Sequence, residues 1–252
     1  MAALAELAPA VAARLRDWFL PDRPGPLVGL HVLHTGHGRV LADRPDAPRA
    51  VLVETAGNWS LAGDPAALTP ELLRPVLRGF AEVPAAFVPL VEAAFPAAAR
   101  WDRVVQVQRA ARQAPARDVR RARPGRRAAA ASAPGRPGLD RRDLGRPRRA
   151  GGSGTAWGAV DDGRLGAVAC PFFAGDRYED IGVVTLTSRR GQGLGTACAG
   201  AVCAEVRARG RVPSWTTSPD NPGSLGIAAA LGFTLERHDV LHVIGVPIPS
   251  ID

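Results

Sequence analysis

A mixed α/β protein, with a sheet carrying helices on its faces, is what this 252-residue sequence predicts. Three observations point to it. Asp180-Ile181-Gly182-Val183-Val184-Thr185-Leu186 is a short apolar, β-branched run and reads as a buried strand. A glycine-rich turn, Gly191-Gln192-Gly193-Leu194-Gly195-Thr196, follows it. Leu194, Cys198, Val202 and Val206 then recur every four residues up to Gly210, the signature of a helix and its end. Strand, glycine turn and helix start together suit a phosphate. The first amides of a helix lack partners within it, the helix dipole adds positive charge there, and glycines let an anion reach the backbone. Arg190 adds a full positive charge beside the turn.

Taken in order, residues 3–19 read as a helix with Leu4, Leu7, Val11, Leu15 and Phe19 on one side. Pro21, Pro24 and Pro26 break the chain. Leu27–Leu33 and Arg39–Ala42 read as strands, and Ala50–Glu54 with Trp59–Leu61 as a hairpin. Pro70–Phe80 and Ala85–Phe95 read as helices and Arg103–Gln108 as a closing strand, so residues 1–108 form a small α/β unit. On a strand, His34 would point away from His31 and His37, which speaks against a metal site. From Thr155, a hairpin of Ala156–Val160 and Arg164–Cys170 leads through a loop, Phe172–Arg177, into the central strand. The helix to Arg209, a strand at Val212–Thr217, a helix at Asn221–Leu231 ended by Gly232, and one or two strands over Phe233–Val246 complete the chain.

The net charge of +8 is unevenly placed. Every basic residue is arginine, and fourteen of the 32 fall between Arg109 and Arg149 against only Asp118, Asp140 and Asp143. That segment alone is +11, which leaves −3 elsewhere. Residues 109–152, rich in Arg, Ala, Pro and Gly, read as a disordered basic linker. A second reading is a segment translated out of frame, because shifted frames of a GC-rich gene fill with these residues. A nucleic-acid arm is a distant third, since the interleaved aromatics that stack bases are missing. No apolar run is long enough to span a membrane. Cys170, Cys198 and Cys203 have no framework spacing and read as reduced, mostly buried thiols of a cytoplasmic protein.

Neither the dinucleotide fingerprint nor the lysine-containing P-loop fits the glycine turn. Arg190-x-x-Gly193-x-Gly195 instead resembles the acetyl-CoA loop of the GNAT N-acyltransferase superfamily, Q/R-x-x-G-x-G/A. The resemblance runs on through Val212–Thr217, Asn221-Pro222-Gly223-Ser224 and Ala230-Leu231-Gly232-Phe233, covering about residues 153–246. It implies a mixed, mostly antiparallel sheet flanked by helices over residues 153–252, preceded by the smaller α/β N-terminal domain of residues 1–108.

The resemblance also implies acetyl-CoA as co-substrate, no metal, and transfer to a primary amine of a small molecule or peptide. The central strand would splay from its neighbour, so that backbone groups of Val183, Val184 and Thr185 pair with the pantetheine arm. Arg190 and the amides of Gly191, Gln192, Gly193, Leu194, Gly195 and Thr196 would hold the pyrophosphate. Asn221 and Ser224 would meet the pantetheine or thioester end, or act only as a helix cap and first-turn residue. The carboxylate base would fall at Glu179, six residues before Thr185, with Asp180 beside it facing the other way. Where many relatives carry an acid tyrosine, this sequence has Ala228, and its only tyrosine is Tyr178. A non-catalytic acyl-CoA-binding domain is therefore the alternative to an enzyme. The acceptor and the oligomeric state, a homodimer included, stay open.

Overall fold

The structure, a computed structural model, describes residues 3–121, 156–161 and 164–250. Its strands are β1 (Ala5–Glu6), β2 (Arg39–Ala42), β3 (Ala50–Thr55), β4 (Asn58–Gly63), β5 (Gly79–Glu82), β6 (Ala99–Val107), β7 (Val119–Arg121), β8 (Trp157–Asp161), β9 (Arg164–Ala174), β10 (Tyr178–Thr185), β11 (Val212–Thr217) and β12 (Thr234–Ile244). The helices are α1 (Pro9–Ala12), α2 (Val28–Thr35), α3 (Pro70–Leu73), α4 (Val88–Ala94), α5 (Leu194–Ala208) and α6 (Pro222–Ala230).

Among the described residues all twelve strands join one sheet, ordered β1-β2-β3-β4-β5-β12-β6-β11-β10-β9-β8-β7. Only β4/β5 and β10/β11 run parallel. The order is symmetric about the β12/β6 pair. β4-α3-β5-α4-β6 in the first half follows the same path as β10-α5-β11-α6-β12 in the second. The last strand of each half crosses over: β6 pairs with β11, and β12 with β5. The strand expected to close the first half therefore lies at the middle of the sheet.

Three cores follow from this layout. Helices α3 and α4, with the 3-10 turn Ala85–Phe87 that leads into α4, bury Leu73, Phe87 and Val91 against Leu52, Leu61 and Ala81 on one face of the first half. Helix α5 buries Cys198, Val202 and Val206 against Ala169, Ile181 and Trp215 on the corresponding face of the second. The N-terminal segment and α2 cover the opposite face, where Leu15, Val28 and Val32 meet Val51, Val53, Phe173 and Tyr178. The three cysteines are free and buried, and burial pushes each thiol up, Cys203 to about 12.

Several local expectations are corrected. Residues 3–19 form β1, α1 and a 3-10 segment over Ala13–Phe19 rather than one helix. Leu27–Leu33 belongs to a helix, not a strand, because Gly36 caps it in the left-handed region at φ 64°. Helix α3 stops at Leu73, well before Phe80, since Pro75 has no N–H to continue it. The loop expected over Phe172–Arg177 is shortened, because β9 runs to Ala174. Of the basic segment, residues 122–152 lie outside the described residues. Residues 109–121 are described: Ala114 and Val119 pack on the α5 core, and β7 pairs with β8.

Leu73 is completely buried beneath α4. Leu73→Ala should cost about 2–5 kcal/mol, read from the urea midpoint at unchanged m-value.

Candidate active site

β10 and β11 are paired only from Tyr178/Val212 to Asp180/Ser214. Beyond that point each keeps its outer neighbour: β10 stays on β9 as far as Thr185/Ala167, and β11 stays on β6 as far as Thr217/Val104. The facing edges of Ile181–Thr185 and Trp215–Thr217 therefore open as a wedge. Val183, Val184 and Thr185 line one side of it and are half-buried.

The glycine turn stands at the open end of this wedge. A 3-10 turn, Thr187–Arg189, leads to Arg190, which is exposed. Gly191 and Gly193 both take φ of 76°, a region costly for any residue with a Cβ. Gly193 caps α5 with no side chain bonded to the helix end, so the amides of Leu194, Gly195 and Thr196 are left for a ligand. Gly195 is needed for packing: a Cβ there would come within 2.6 Å of Thr185 Oγ1. Arg117, from the segment after β6, donates its Nε–H to Gln192 O at 3.1 Å. It helps line a cavity of about 480 Å³ with Asp118, Val160, Gln192 and Leu194.

Asn221 caps α6, its side chain accepting the Ser224 amide at 2.9 Å. Ser224 Oγ accepts in turn from Trp215 Nε1 at 2.9 Å. Trp215 is core, 1% exposed and edge-on to Phe233. Ala228 is also core, so the position expected to carry a tyrosine is closed by packing.

The two carboxylates proposed as base are separated by strand alternation. Glu179 faces α5. It is 2% exposed and bonded by Arg209 at 2.7 Å and Arg211 at 2.8 Å. The expectation of a base at a cleft mouth does not suit Glu179, because both oxygens are occupied by guanidinium groups. Asp180 faces the opposite side, at the vertex of the wedge. Its Oδ1 accepts from Ser214 Oγ and Thr216 Oγ1, each at 3.0 Å. Burial pushes Asp180 up to about 7, against the pull of those two hydroxyls and of Arg103 and Arg237.

Asp180 belongs to a row of charges that sequence reasoning missed. Arg103 on β6, Arg237 and Asp239 on β12, and Glu82 on β5 project from the same face, as the cross-strand register requires. Arg103 lies 4.0 Å from the centre of the Trp101 ring and donates to Thr216 O at 3.3 Å. Arg237 pairs with Asp239 at 2.6 Å and donates to Pro24 O. Glu82 is raised to about 7 by burial, with Asp239 adding to the effect. The available signal was only the charged run Glu236-Arg237-His238-Asp239 at the start of β12, and nothing local connects it to Asp180.

His31 accepts the Ala174 amide at Nδ1 and is held near 4 by burial, and His34 meets Asp176 at 3.0 Å. Each serves a contact between α2 and the β9–β10 turn.

Comparison with known proteins then decides the family. An uncharacterized N-acetyltransferase of Streptomyces virginiae is 38% identical over 213 residues, covering 81% of this chain and 90% of that protein. The chain belongs to the GNAT acetyltransferase family. The family model described as GNAT acetyltransferase matches residues 149–239, which include the wedge, the glycine turn and α6. The fold of a GCN5-related N-acetyltransferase-like protein from Streptococcus suis superposes with a TM-score of 0.67 at 19% identity, covering 94% of this chain and 99% of that one. A tandem GNAT protein from the clavulanic acid biosynthesis pathway gives 0.55 at 14% identity, covering 95% and 97%. This GNAT enzyme thus has a mixed sheet flanked by helices. Among its described residues no helix is long and apolar enough to cross a membrane.

If Glu179 ties α5 to β11 rather than acting on substrate, Glu179→Ala should act mainly on stability. Arg209 and Arg211 are each about a third exposed and can be rehydrated, so the loss should be about 1–3 kcal/mol by urea unfolding, with the KM for acetyl-CoA changed less than threefold.

Proposed function

We propose that this GNAT enzyme transfers the acetyl group of acetyl-CoA to a primary amine of a small molecule or peptide by direct attack, with Asp180 as the base. The position of Asp180 at the vertex of the wedge is the observation that carries this reading. Acetyl-CoA suits the residues present. An uncapped helix start behind two left-handed glycines offers amides to a diphosphate, with Arg190 beside them. The free edge of Val183, Val184 and Thr185 offers strand-like partners to the pantetheine amides. Asn221 and Ser224 stand at the far side of the wedge, each with a capping or core contact that leaves a ligand role compatible.

When bound, acetyl-CoA supplies an activated thioester: the amine nitrogen forms the amide bond as the carbon–sulfur bond breaks. Asp180 receives the proton that the ammonium group gives up. A carboxylate titrating near 7 is well matched to that task at neutral pH. Ser214 and Thr216 hold the carboxylate in place, and Arg103 on the Trp101 ring borders the space an acceptor would occupy. Water protonates the departing thiolate, since Ala228 supplies no acid. The first-half strands contribute Arg103 and Glu82 to this face, so residues 1–108 read as an N-terminal domain that shapes acceptor choice. The cytoplasm, where acetyl-CoA is made and used, is the matching compartment.

Ala228 favours a second reading, an acyl-CoA-binding domain without turnover. Coenzyme A release with a panel of amines separates the two. Asp180→Asn should lower kcat by about 10²–10⁴-fold while leaving the dissociation constant for acetyl-CoA within threefold. In the parent enzyme kcat/KM should rise with pH through about 7, as Asp180 loses its proton, and the variant should lose that limb. Tight binding with no turnover on any amine would favour the second reading.

The glycine turn is tested separately. Gly193→Val forces a β-branched residue to φ of 76° and puts methyl groups where a phosphate would approach. Calorimetry should show acetyl-CoA affinity falling at least a hundredfold in a variant whose circular dichroism matches the parent.

A further inference from the structure

At the opposite end of the β10/β11 pair from the glycine turn, four arginines converge on one concavity. Arg109 follows β6, Arg177 precedes β10, Arg207 lies in the last turn of α5, and Arg211 precedes β11. They line a pocket of about 230 Å³ with Tyr178 and Gln108. The eight residues of β10, Tyr178 to Thr185, separate it from the glycine turn by about 23 Å of extended strand. The two sites are therefore independent.

The charges in this pocket are not balanced. Arg109 is paired with Glu236 at 2.7 Å and Arg211 with Glu179 at 2.8 Å. Among the described residues no carboxylate lies within ion-pair distance of Arg177 or Arg207. Arg177 lies over the Tyr178 ring, 5.2 Å from its centre, and Arg207 donates to Gln108 Oε1. Gln108 is 2% exposed, and its own Nε2 is fixed on Leu231 O at 2.6 Å. A guanidinium group held by a buried, immobilised amide is preorganised, so little freedom is lost when its remaining N–H groups meet a ligand. A cation in the last turn of a helix is ordinary by itself. That does not explain why three other segments bring arginines to the same small space.

We propose that this pocket is a second ligand site, specific for a compact phosphate group such as that of a small phosphorylated metabolite. Planar guanidinium groups converging from several directions match the oxygens of a tetrahedral phosphate, which they can bond in pairs. The volume is below that of most drug-sized pockets, about 300–1,000 Å³, which favours the phosphate end of a ligand over a whole nucleotide. The buried ring of Tyr178 gives the pocket an apolar floor that keeps the local dielectric low and the attraction strong.

The full-length protein is first saturated with coenzyme A, which fills the phosphate-binding amides at the glycine turn. Inorganic phosphate and pyrophosphate are then titrated by calorimetry. One equivalent of pyrophosphate should bind, and Arg177→Ala should weaken it at least fivefold with no change in coenzyme A affinity. The Arg177→Ala/Arg207→Ala pair should weaken it at least thirtyfold. Arg207→Ala also removes the partner of Gln108. If the pair fails to fold, the exposed Arg177 decides alone, with Arg177→Glu expected to abolish binding. Absence of binding to the coenzyme-saturated protein overturns the proposal, as does binding that Arg177→Glu leaves unchanged. Failure of coenzyme A to bind at all would instead count against the acetyl-transfer reading, and the second site would then be judged by the loss of pyrophosphate binding in the Arg177 variants.

Discussion

Everything at the candidate active site depends on one interruption of backbone pairing, the parting of β10 from β11 after Asp180 and Ser214. Its origin is visible on the other side of β10. The register with β9 jumps there, from Asp180/Phe173 to Ile181/Pro171, leaving Phe172 as an extra residue. Such a bulge sharpens the local twist and turns the strand it supports. Pro171 has no N–H to give, which suits the irregular position. While β9 swings β10 one way, β6 keeps β11 on its own course. The Asp180 carboxylate bridges the last point at which the two strands still meet, through hydroxyls of Ser214 and Thr216. The residue proposed to take the proton is thus also the one that fixes the vertex.

The symmetric strand order places a second constraint on that site. The first half repeats the path of the second, with its own parallel pair, β4/β5, but α3 is a single turn where α5 has fifteen residues. Among the described residues, no helix longer than one turn follows β4 as α5 follows β10. The first half contributes through the crossed strands. Because β6 lies beside β11 and β12 beside β5, the face that carries Asp180 continues without a break into Arg103, Asp239 and Glu82. Deleting the first half would remove β6 from the edge of β11 and so expose an unpaired strand as well as the acceptor side.

The legible parts of the sequence were the local ones. The strand, glycine turn and helix of residues 180–208 occur as read, because their signals lie within a few residues: β-branched side chains, glycines at positive φ and a four-residue apolar spacing. β11 and α6 were legible for the same reason. The segment Leu27–Leu33 was misread because its β-branched and apolar residues fit a strand equally well; burial on Val51 and Val53 and the Gly36 cap select the helix. The choice between Glu179 and Asp180 was a matter of parity. One residue decides which face a strand side chain takes, and only the packing of α5 on Ile181 establishes it. The partners of Asp180 come from strands between about 35 and 100 residues away in the chain, distances over which no spacing rule applies.

The charged face also sets stability against activity. Asp180 and Glu82 titrate near 7 when folded, against ordinary values of 3.8 and 4.5, because burial penalises their ionised forms. A raised carboxylate favours the folded state fully below its unfolded value, and that advantage is lost as pH rises through about 7. The proposed reaction needs Asp180 ionised, and so works where this contribution has been surrendered. Arg103 limits the loss. Although burial lowers it to about 10, it remains a cation at neutral pH, and its attraction for Asp180 grows as the carboxylate ionises. An amine arriving as its ammonium form would act in the same direction, since it brings a positive charge toward Asp180 before giving up its proton. Binding of the acceptor and ionisation of the base would then reinforce one another, which is why a buried carboxylate next to an arginine is a workable base where an isolated one would simply stay protonated.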